Sequence, residues 1–376
     1  MQSLRDDVGQ LLWVGFETPR VSPTLAAQLD AGAYGATVLF KRNLEMVGDR
    51  CDLDALEALC RDLHRRAPDG TPALIAIDQE GGPVQRVRAP ATVWPPMMAH
   101  DRLPPGEDVA VAEQVGRAMG DELRALGLDI DFAPVLDVHT NPANPIIGDR
   151  AFGRDADTAV RRALAFARGL AAAGILACGK HFPGQGDTNT DSHLELPRID
   201  HAWPRLEAVE LAPFARAAGA GEADAGLPMI MTAHVVFAAL DPDRPATLSE
   251  AVVSGLLRTK LGFRGVIVSD DLDMRAIAGL MGADRAAVGA IRAGCDALLL
   301  CRDPVNQALA EEALATAAER DTELRRRIGE SAARVRAMKH AHAAFAAAHP
   351  APGRAVVGSA AHQRLAARLR CRDGVH

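Results

Sequence analysis

The chain has 376 residues, of which 48% are apolar and 24% are charged, and its 42 basic against 49 acidic side chains give a formal net charge of −7. This acidic balance argues against a nucleic-acid or anionic-membrane surface, which needs basic patches. An aromatic content of 4% argues against stacking platforms for single strands.

Apolar runs rich in β-branched residues alternate along the chain with stretches of helical period. The runs predict eight strands: LLWVGFE, ATVLFKRN, ALIAIDQEG, IDFAPVLDV, ILACGKHFPG, MIMTAHVVF, GVIVSDDLD and DALLLCRDP. The helical stretches lie around 23–32, 52–67, 107–126, 155–173, 203–219, 249–261 and 282–293, and an eighth begins near 304.

This alternation predicts an α/β fold, a single-domain (β/α)8 TIM barrel with extra C-terminal helices. The alternative is an open doubly wound sheet, which is weakened because no G-x-G-x-x-G follows an early strand. We expect the barrel domain over residues 1–348. Residues 349–376 form a C-terminal tail that breaks at Pro and Gly and is partly helical.

Polar residues stand at the carboxyl ends of five predicted strands: Asp78, Asp137, His181, His234 and Asp270. In a barrel these ends form one rim, where this fold carries its chemistry. Residues spread over much of the chain are therefore expected to meet in one pocket.

The segment KHFPGQGDTNTDSH, residues 180–193, holds many ionisable groups beside turn-forming residues. Its D-x-N-x-D pattern resembles the start of an EF-hand loop, but Ser192 replaces the required Gly and Arg198 the required Glu. A zinc site would use His181 and His193, and no H-x-H or H-E-x-x-H supports one. We expect no metal and no other cofactor.

Asp191 and His193 are two residues apart, so their side chains can point to the same side of an extended segment. A carboxylate beside an imidazole orients it and favours its protonated form, which suits proton transfer near neutral pH. The D-x-H pattern alone is weak and is more typical of a solvated loop, but its position after KHFPG at a strand end adds weight to a site.

Asp270 directly follows the buried run GVIVS, and Asp271 comes next. A carboxylate at this rim can act as ligand, general base or nucleophile. The alternative is a helix N-cap, and with two adjacent aspartates one can cap while Asp270 does chemistry.

Two further segments suit recognition of a polar ligand. Asp78 ends its strand before a Gly-Gly turn, with Arg86 eight residues later, and Arg150 stands between Gly148 and Gly153. A carboxylate can accept hydrogen bonds from sugar hydroxyls, and an arginine can bind a carbonyl or carboxylate. A turn with an internal salt bridge is the alternative for the first segment.

The motifs DQEGG, NPIIGDRAFG, KHFPGQG, DSH, TAH and GVIVSDD, in this order and spacing, resemble the bacterial β-N-acetylhexosaminidases of glycoside hydrolase family 3, in particular the single-domain enzymes of cell-wall recycling. The likeness covers roughly residues 8–345. It implies a (β/α)8 barrel and removal of terminal β-linked N-acetylglucosamine with retained configuration.

By motif position, the resemblance implies that Asp270 is the nucleophile and that His193 is the acid/base with Asp191 as its partner. The implied sugar-binding residues are Asp78, Arg86, Arg150, Lys180 and His181. This chain departs from the usual motifs at Gln185, where His is usual, at Pro83, where Arg is usual, and at Asp273, where Ser is more common.

The resemblance thus implies a retaining exo-β-N-acetylglucosaminidase acting on peptidoglycan-derived muropeptides such as GlcNAc-anhydroMurNAc. The alternatives are a family 3 β-glucosidase or glycoside phosphorylase on the same scaffold, an inactive sugar-binding barrel, and a metal-dependent hydrolase. We expect a carbohydrate as the partner, no nucleic acid or membrane partner, and a monomer. Six cysteines without a C-x-x-C pair and no visible secretory signal predict a cytoplasmic protein with reduced thiols.

Overall fold

Eight parallel strands close into a barrel in this computed structural model, which describes residues 3–66, 72–190, 196–219 and 226–370. Each strand pairs with the next along the chain, and the eighth pairs with the first. The predicted (β/α)8 barrel is confirmed. Its strands are β1 (Leu12–Gly15), β2 (Ala36–Leu39), β3 (Leu74–Ile77), β4 (Ile130–Asp131), β5 (Leu176–Phe182), β6 (Met229–Thr232), β7 (Val266–Asp271) and β8 (Ala297–Leu300).

Helices surround the barrel and follow the strands in sequence. The helices of the described ranges are Leu4–Leu11, Pro23–Asp30, Leu53–His64, Asp108–Ala125, Ala156–Ala173, Trp203–Arg205, Ala212–Ala217, Arg275–Ala278, Ala283–Ala293, Pro304–Arg320, Thr322–Ala348 and Ala360–Arg370. Leu206–Glu210 and Ala251–Lys260 have π-helical hydrogen bonding. None of the helices in the described part of the chain combines the length and apolar character needed to cross a membrane.

Three elements show why local structure differs from the sequence prediction. The first predicted strand begins one residue late because Leu4–Leu11 is a helix, started by a reciprocal Ser3–Asp6 capping box. Strand β4 is short, since Pro134 has no N–H for a ladder, and beyond it an isolated bridge joins Val135 to β5. The helix predicted from 304 is two helices, divided where Asp321 caps the second.

Side chains alternate between two cores along the strands. In β1, Trp13 points into the barrel, while Leu12 and Val14 pack outward in the layer beneath the helices. Phe132 and Met231 belong to the inner cluster, so the barrel interior is filled rather than open.

The last described helix packs against the barrel through a buried carboxylate. Glu122 lies in the helix Asp108–Ala125. Its Oε1 accepts a hydrogen bond from Gly358 N and lies 2.8 Å from His362 Nδ1. The helix Ala360–Arg370 is thereby held against the helix Asp108–Ala125.

The helices Asp108–Ala125 and Ala156–Ala173 approach closely because glycine stands at their crossing. A Cβ on Gly169 would lie 2.2 Å from Glu113 O and 2.5 Å from Arg117 N, both backbone atoms that cannot move aside.

We expect Gly169→Ala to lower the free energy of unfolding by about 1–3 kcal/mol through overpacking, measured by urea denaturation. Gly255→Ala is the control, since that helical position is exposed and its nearest neighbour would be 3.6 Å away. There we expect no loss and up to about 1 kcal/mol of gain.

Candidate active site

A cavity of about 850 Å³ opens at the carboxyl ends of the barrel strands. It is lined by residues from the whole chain, from Glu17 to Arg302. The predicted site residues that line it are Asp78, Arg86, Arg150, Lys180, His181 and Asp270. Asp191 and His193 lie outside the described residues. Barrel closure therefore brings together six of the residues that the motifs single out.

Two β-bulges lie beside the functional side chains. Between β5 and β6, Gly179 and Phe182 pair with Ile230 and Thr232, so β5 carries one extra residue at Lys180–His181. Between β7 and β8, Val268 and Asp271 pair with Ala297 and Leu299, which gives β7 one extra residue just before Asp271. A bulge changes the direction in which the neighbouring side chains point. The two bulges here therefore change which side chains face the cavity.

Lys180 is the centre of a buried ion network on the cavity floor. Its Nζ lies 2.8 Å from Asp78 Oδ1 and 2.5 Å from Glu80 Oε1. Arg86 binds the other oxygen of Asp78 at 2.9 Å. Arg150 binds both oxygens of Glu80, at 2.8 and 2.9 Å. Three cations thus face two carboxylates, and each carboxylate is paired on both oxygens.

This pairing keeps the network ionised although it is buried. Burial alone would raise the pKa of Asp78, but Lys180 and Arg86 outweigh it and hold that pKa well below its usual range. Burial likewise opposes ionisation of Glu80, and Arg150 with Lys180 lowers its pKa to about 2. Burial would lower the pKa of Lys180, and the two carboxylates raise it above its usual value. The floor therefore offers fixed charges to a polar ligand.

A tight hairpin delivers Arg86 to the cavity. Gln79–Gly81 pairs antiparallel with Val84–Gln85, and Gln79 Oε1 accepts from the backbone N of Arg86 at 3.0 Å. Gly82 sits in the turn at φ 57°, where a Cβ would lie 2.7 Å from Pro96 Cβ. The two glycines of DQEGG are thus required by the turn that follows Asp78.

His181 is oriented by a buried carboxylate. Its Nδ1 lies 2.6 Å from Asp137 Oδ2, so Nδ1 carries the proton and Nε2 is left for the cavity. Asp137 Oδ1 also accepts from the backbone N–H groups of His181 and Gln185. Asp137 is fully covered and positions the imidazole, and Gln185 lines the cavity beside it.

Asp270 lies at the end of β7, where its Oδ1 accepts from the backbone N of Asp271 at 2.8 Å. Asp271 also lines the cavity, and burial, followed by the nearby carboxylate of Asp273, raises its pKa to about 7. His234 is buried behind the strand, with Nε2 3.0 Å from the backbone O of Asp271. It therefore supports the strand end and does not line the cavity.

Glu80 is the functional residue that sequence reasoning missed. The DQEGG pattern indicates only a turn at this position, yet Glu80 is buried and binds both Arg150 and Lys180. The available signal is its spacing, because Glu80 lies two residues after Asp78 and can face the same cavity. Arg150 was predicted to contact a ligand, and the structure shows its Nε and one terminal nitrogen bound to Glu80.

Comparison with known proteins gives consistent matches. Residues 3–338 match the family model described as the glycosyl hydrolase family 3 N terminal domain. A beta-hexosaminidase of Alkalilimnicola ehrlichii is 41% identical over 298 residues, which are 78% of this chain and 81% of that protein. A family 3 beta-N-acetylglucosaminidase structure from Paenibacillus sp. str. FPU-7 has a TM-score of 0.88 at 37% identity, covering 98% of this chain and 68% of that one. NagZ from Neisseria gonorrhoeae in complex with N-trifluoroacetyl-D-glucosamine has a TM-score of 0.75 at 31% identity, covering 96% of each chain.

The ion network gives a pH-dependent contribution to stability. The pKa of Glu80 is lowered from 4.5 to about 2 by folding, so this contribution is present above about pH 4.5 and is lost as the pH falls towards 2. We expect Glu80→Gln to lower the free energy of unfolding by about 3 kcal/mol at pH 7, because two buried cations lose a partner. The difference from wild type should shrink when urea denaturation is repeated at pH 3. Glu113→Gln, which removes an exposed partner of Arg168, should cost less than about 1 kcal/mol at both pH values.

Proposed function

Given that the chain belongs to glycosyl hydrolase family 3 and is a glycoside hydrolase of the β-N-acetylhexosaminidase type, we propose that it is a retaining exo-enzyme acting through a covalent glycosyl-aspartate. It removes terminal β-linked N-acetylglucosamine from the non-reducing end. One observation carries this proposal: the carboxyl of Asp270 lines the same cavity as the charged network around Lys180.

The network around Lys180 is suited to hold the terminal sugar. Sugar hydroxyls both donate and accept hydrogen bonds, and the cavity offers carboxylate oxygens next to ammonium and guanidinium groups. In this proposal Asp78, Arg86, Arg150, Lys180 and His181 bind the sugar. Because salt bridges already fix these side chains, little ordering is required when the sugar arrives.

Cleavage passes through an oxocarbenium-like state, which needs a negative group on one face of the sugar and a proton at the leaving oxygen. A carboxylate oxygen of Asp270 forms a bond to the anomeric carbon as the glycosidic C–O bond breaks. His193, assisted by Asp191, gives its proton to the leaving oxygen. In the second step water attacks the same carbon, its proton passes to His193, and Asp270 is released as a carboxylate.

For the natural substrate we propose peptidoglycan-derived muropeptides such as GlcNAc-anhydroMurNAc, which rests on the family resemblance. A cytoplasmic location is supported by the five cysteines that the described ranges contain, all of them buried free thiols. We further propose a monomer, with the barrel domain at residues 1–348 and the tail at 349–376, and no cofactor.

Substrate class is tested with nitrophenyl glycosides of N-acetylglucosamine, glucose, N-acetylgalactosamine and xylose, each with and without phosphate. We expect the N-acetylglucosaminide to have the highest kcat/KM and the rate to be independent of phosphate. A higher kcat/KM on the glucoside would favour a β-glucosidase, and release of a sugar phosphate would favour a phosphorylase.

The nucleophile is tested by Asp270→Ala. We expect turnover to be nearly abolished, because no covalent intermediate can form. Azide should restore release of the nitrophenol and give a glycosyl azide of inverted configuration, which a merely structural loss would not do. In the wild type, a fluorinated glycosyl donor should label Asp270 in peptide mass spectra, and a label on another residue would refute this assignment.

The proton donor is tested by His193→Ala on substrates with different leaving groups. Proton donation contributes about 10²–10⁴-fold, so kcat/KM for a disaccharide should fall on that scale. A dinitrophenyl glycoside needs little protonation and should be affected least. Wild-type values of kcat/KM on both substrates would show that His193 has another role.

A further inference from the structure

A second cluster of ionisable side chains lies beside the cavity, at residues 187–210. Asp187 Oδ2 is in contact with His201 Nε2. Arg205 lies 3.8 Å from the same Asp187 oxygen and 3.1 Å from Glu210 Oε1. Glu210 is buried, and the other three are partly covered. We call these four residues the 187–210 cluster.

The cluster joins two parts of the chain that flank one segment. Asp187 follows the KHFPGQG motif, and His201 precedes the helix Trp203–Arg205. Covalent connectivity places His193 six residues after Asp187 and eight residues before His201. The contact between Asp187 and His201 therefore closes the base of the segment that carries the proposed acid/base.

Further bonds hold the first end of this segment. Asn144 Nδ2 donates to Gln185 O at 2.9 Å, and Asn141 Nδ2 donates to Thr188 O at 3.2 Å. A Cβ on Gly186 would lie 1.8 Å from Val138 O, so the backbone here lies directly against the turn after β4. The first end is thus fixed to the barrel up to Thr188.

The second end is held by a short parallel pair. Arg198–Ile199 pairs with Val236–Phe237, and Val236 N donates to Pro197 O at 2.9 Å. Ala238 N donates to Ile199 O at 3.0 Å. His201 follows directly, so its contact with Asp187 connects two ends that are each already anchored.

Glu210 links the cluster to the cavity side of the barrel. A Cβ on Gly184 would lie 2.9 Å from Glu210 Cβ, so this side chain packs against the turn that follows Lys180–His181. Arg205 supplies the positive charge between Asp187 and Glu210. The cluster therefore contains two carboxylates, one imidazole and one guanidinium in contact. Ion pairs of this kind can hold two chain segments together.

We propose that the 187–210 cluster is a clamp that positions His193 for proton transfer. It holds together the two ends of the segment 188–200 and so limits where His193 can lie relative to Asp270. The four residues do not touch the reacting atoms in this proposal; they act through the segment between them. The inference rests on the proposed acid/base role of His193.

The test compares kcat/KM for a disaccharide and for a dinitrophenyl glycoside, since this ratio reports the first step. A displacement of about 1 Å can cost a proton transfer roughly 10²-fold. We expect His201→Ala to lower kcat/KM about 10–100-fold on the disaccharide and less than about threefold on the dinitrophenyl glycoside. His201→Gln presents an amide nitrogen near the place of Nε2 and should recover most of the loss.

A double variant tests whether Asp187 and His201 act as a unit. Asp187→Ala should show the same dependence on the leaving group, and Asp187→Ala with His201→Ala should lose no more than the larger single effect. The matched control is Asp200→Asn, which breaks an exposed pair with Arg198 in the same segment and should leave both rates unchanged. Inhibition by N-acetylglucosamine should stay at the wild-type value in every variant, because the network around Lys180 is intact.

Equal losses on both substrates, or no loss on either, would overturn the clamp. If His193→Ala shows the dependence on the leaving group and His201→Ala does not, the clamp is wrong and the proposed function stands. If His193→Ala itself shows no such dependence, the acid/base role fails and the clamp fails with it.

Discussion

The position of one ammonium group, Lys180 Nζ between Asp78 and Glu80, constrains the rest of the site. It joins the end of β5 to the segment after β3, and Glu80 extends the connection to Arg150 after β4. Burying any one of these charges without a partner would cost free energy. The charged groups therefore stabilise the site only when all of them are present and paired. A floor built in this way is both rigid and strongly polar, which suits a ligand made of hydroxyl groups and excludes an apolar one.

The barrel alone would not aim these side chains. In a regular strand, neighbouring residues point to opposite faces, so Lys180 and His181 could not both line the cavity. The bulge in β5 occurs at these two residues, and a second bulge in β7 lies just before Asp271. The fold thus departs from regular pairing at the strands that carry the proposed binding and nucleophilic groups. Hydrogen bonds between Asp137 and His181 and between His234 and the backbone of Asp271 then hold these irregular strand ends in place.

The sequence predicted those features that depend on local pattern. Alternating apolar runs and helical stretches predicted the barrel. Of the five polar residues at strand ends, Asp78, His181 and Asp270 line the cavity, whereas Asp137 and His234 are buried supports behind it. The missed features depend on contacts between distant residues: the pairing of Glu80 with Arg150 spans 70 positions, and bulges arise from registry between strands. The capping box at Ser3 is itself a local pattern, a Ser followed three residues later by an acid, and it starts the helix Leu4–Leu11, which the alternation of apolar runs does not indicate.

The proposed mechanism divides binding and proton transfer between two parts of the chain. The floor around Lys180 uses its three cations and two carboxylates to hold one another, and in the proposal to bind the sugar. His193 belongs to another segment, with Asp191 two residues away as its proposed partner. A donor so placed needs another means of reaching a defined position, and the contact between Asp187 and His201 supplies one that does not depend on the charged floor. Sugar binding and proton transfer can then be altered independently, because each relies on its own set of ion pairs.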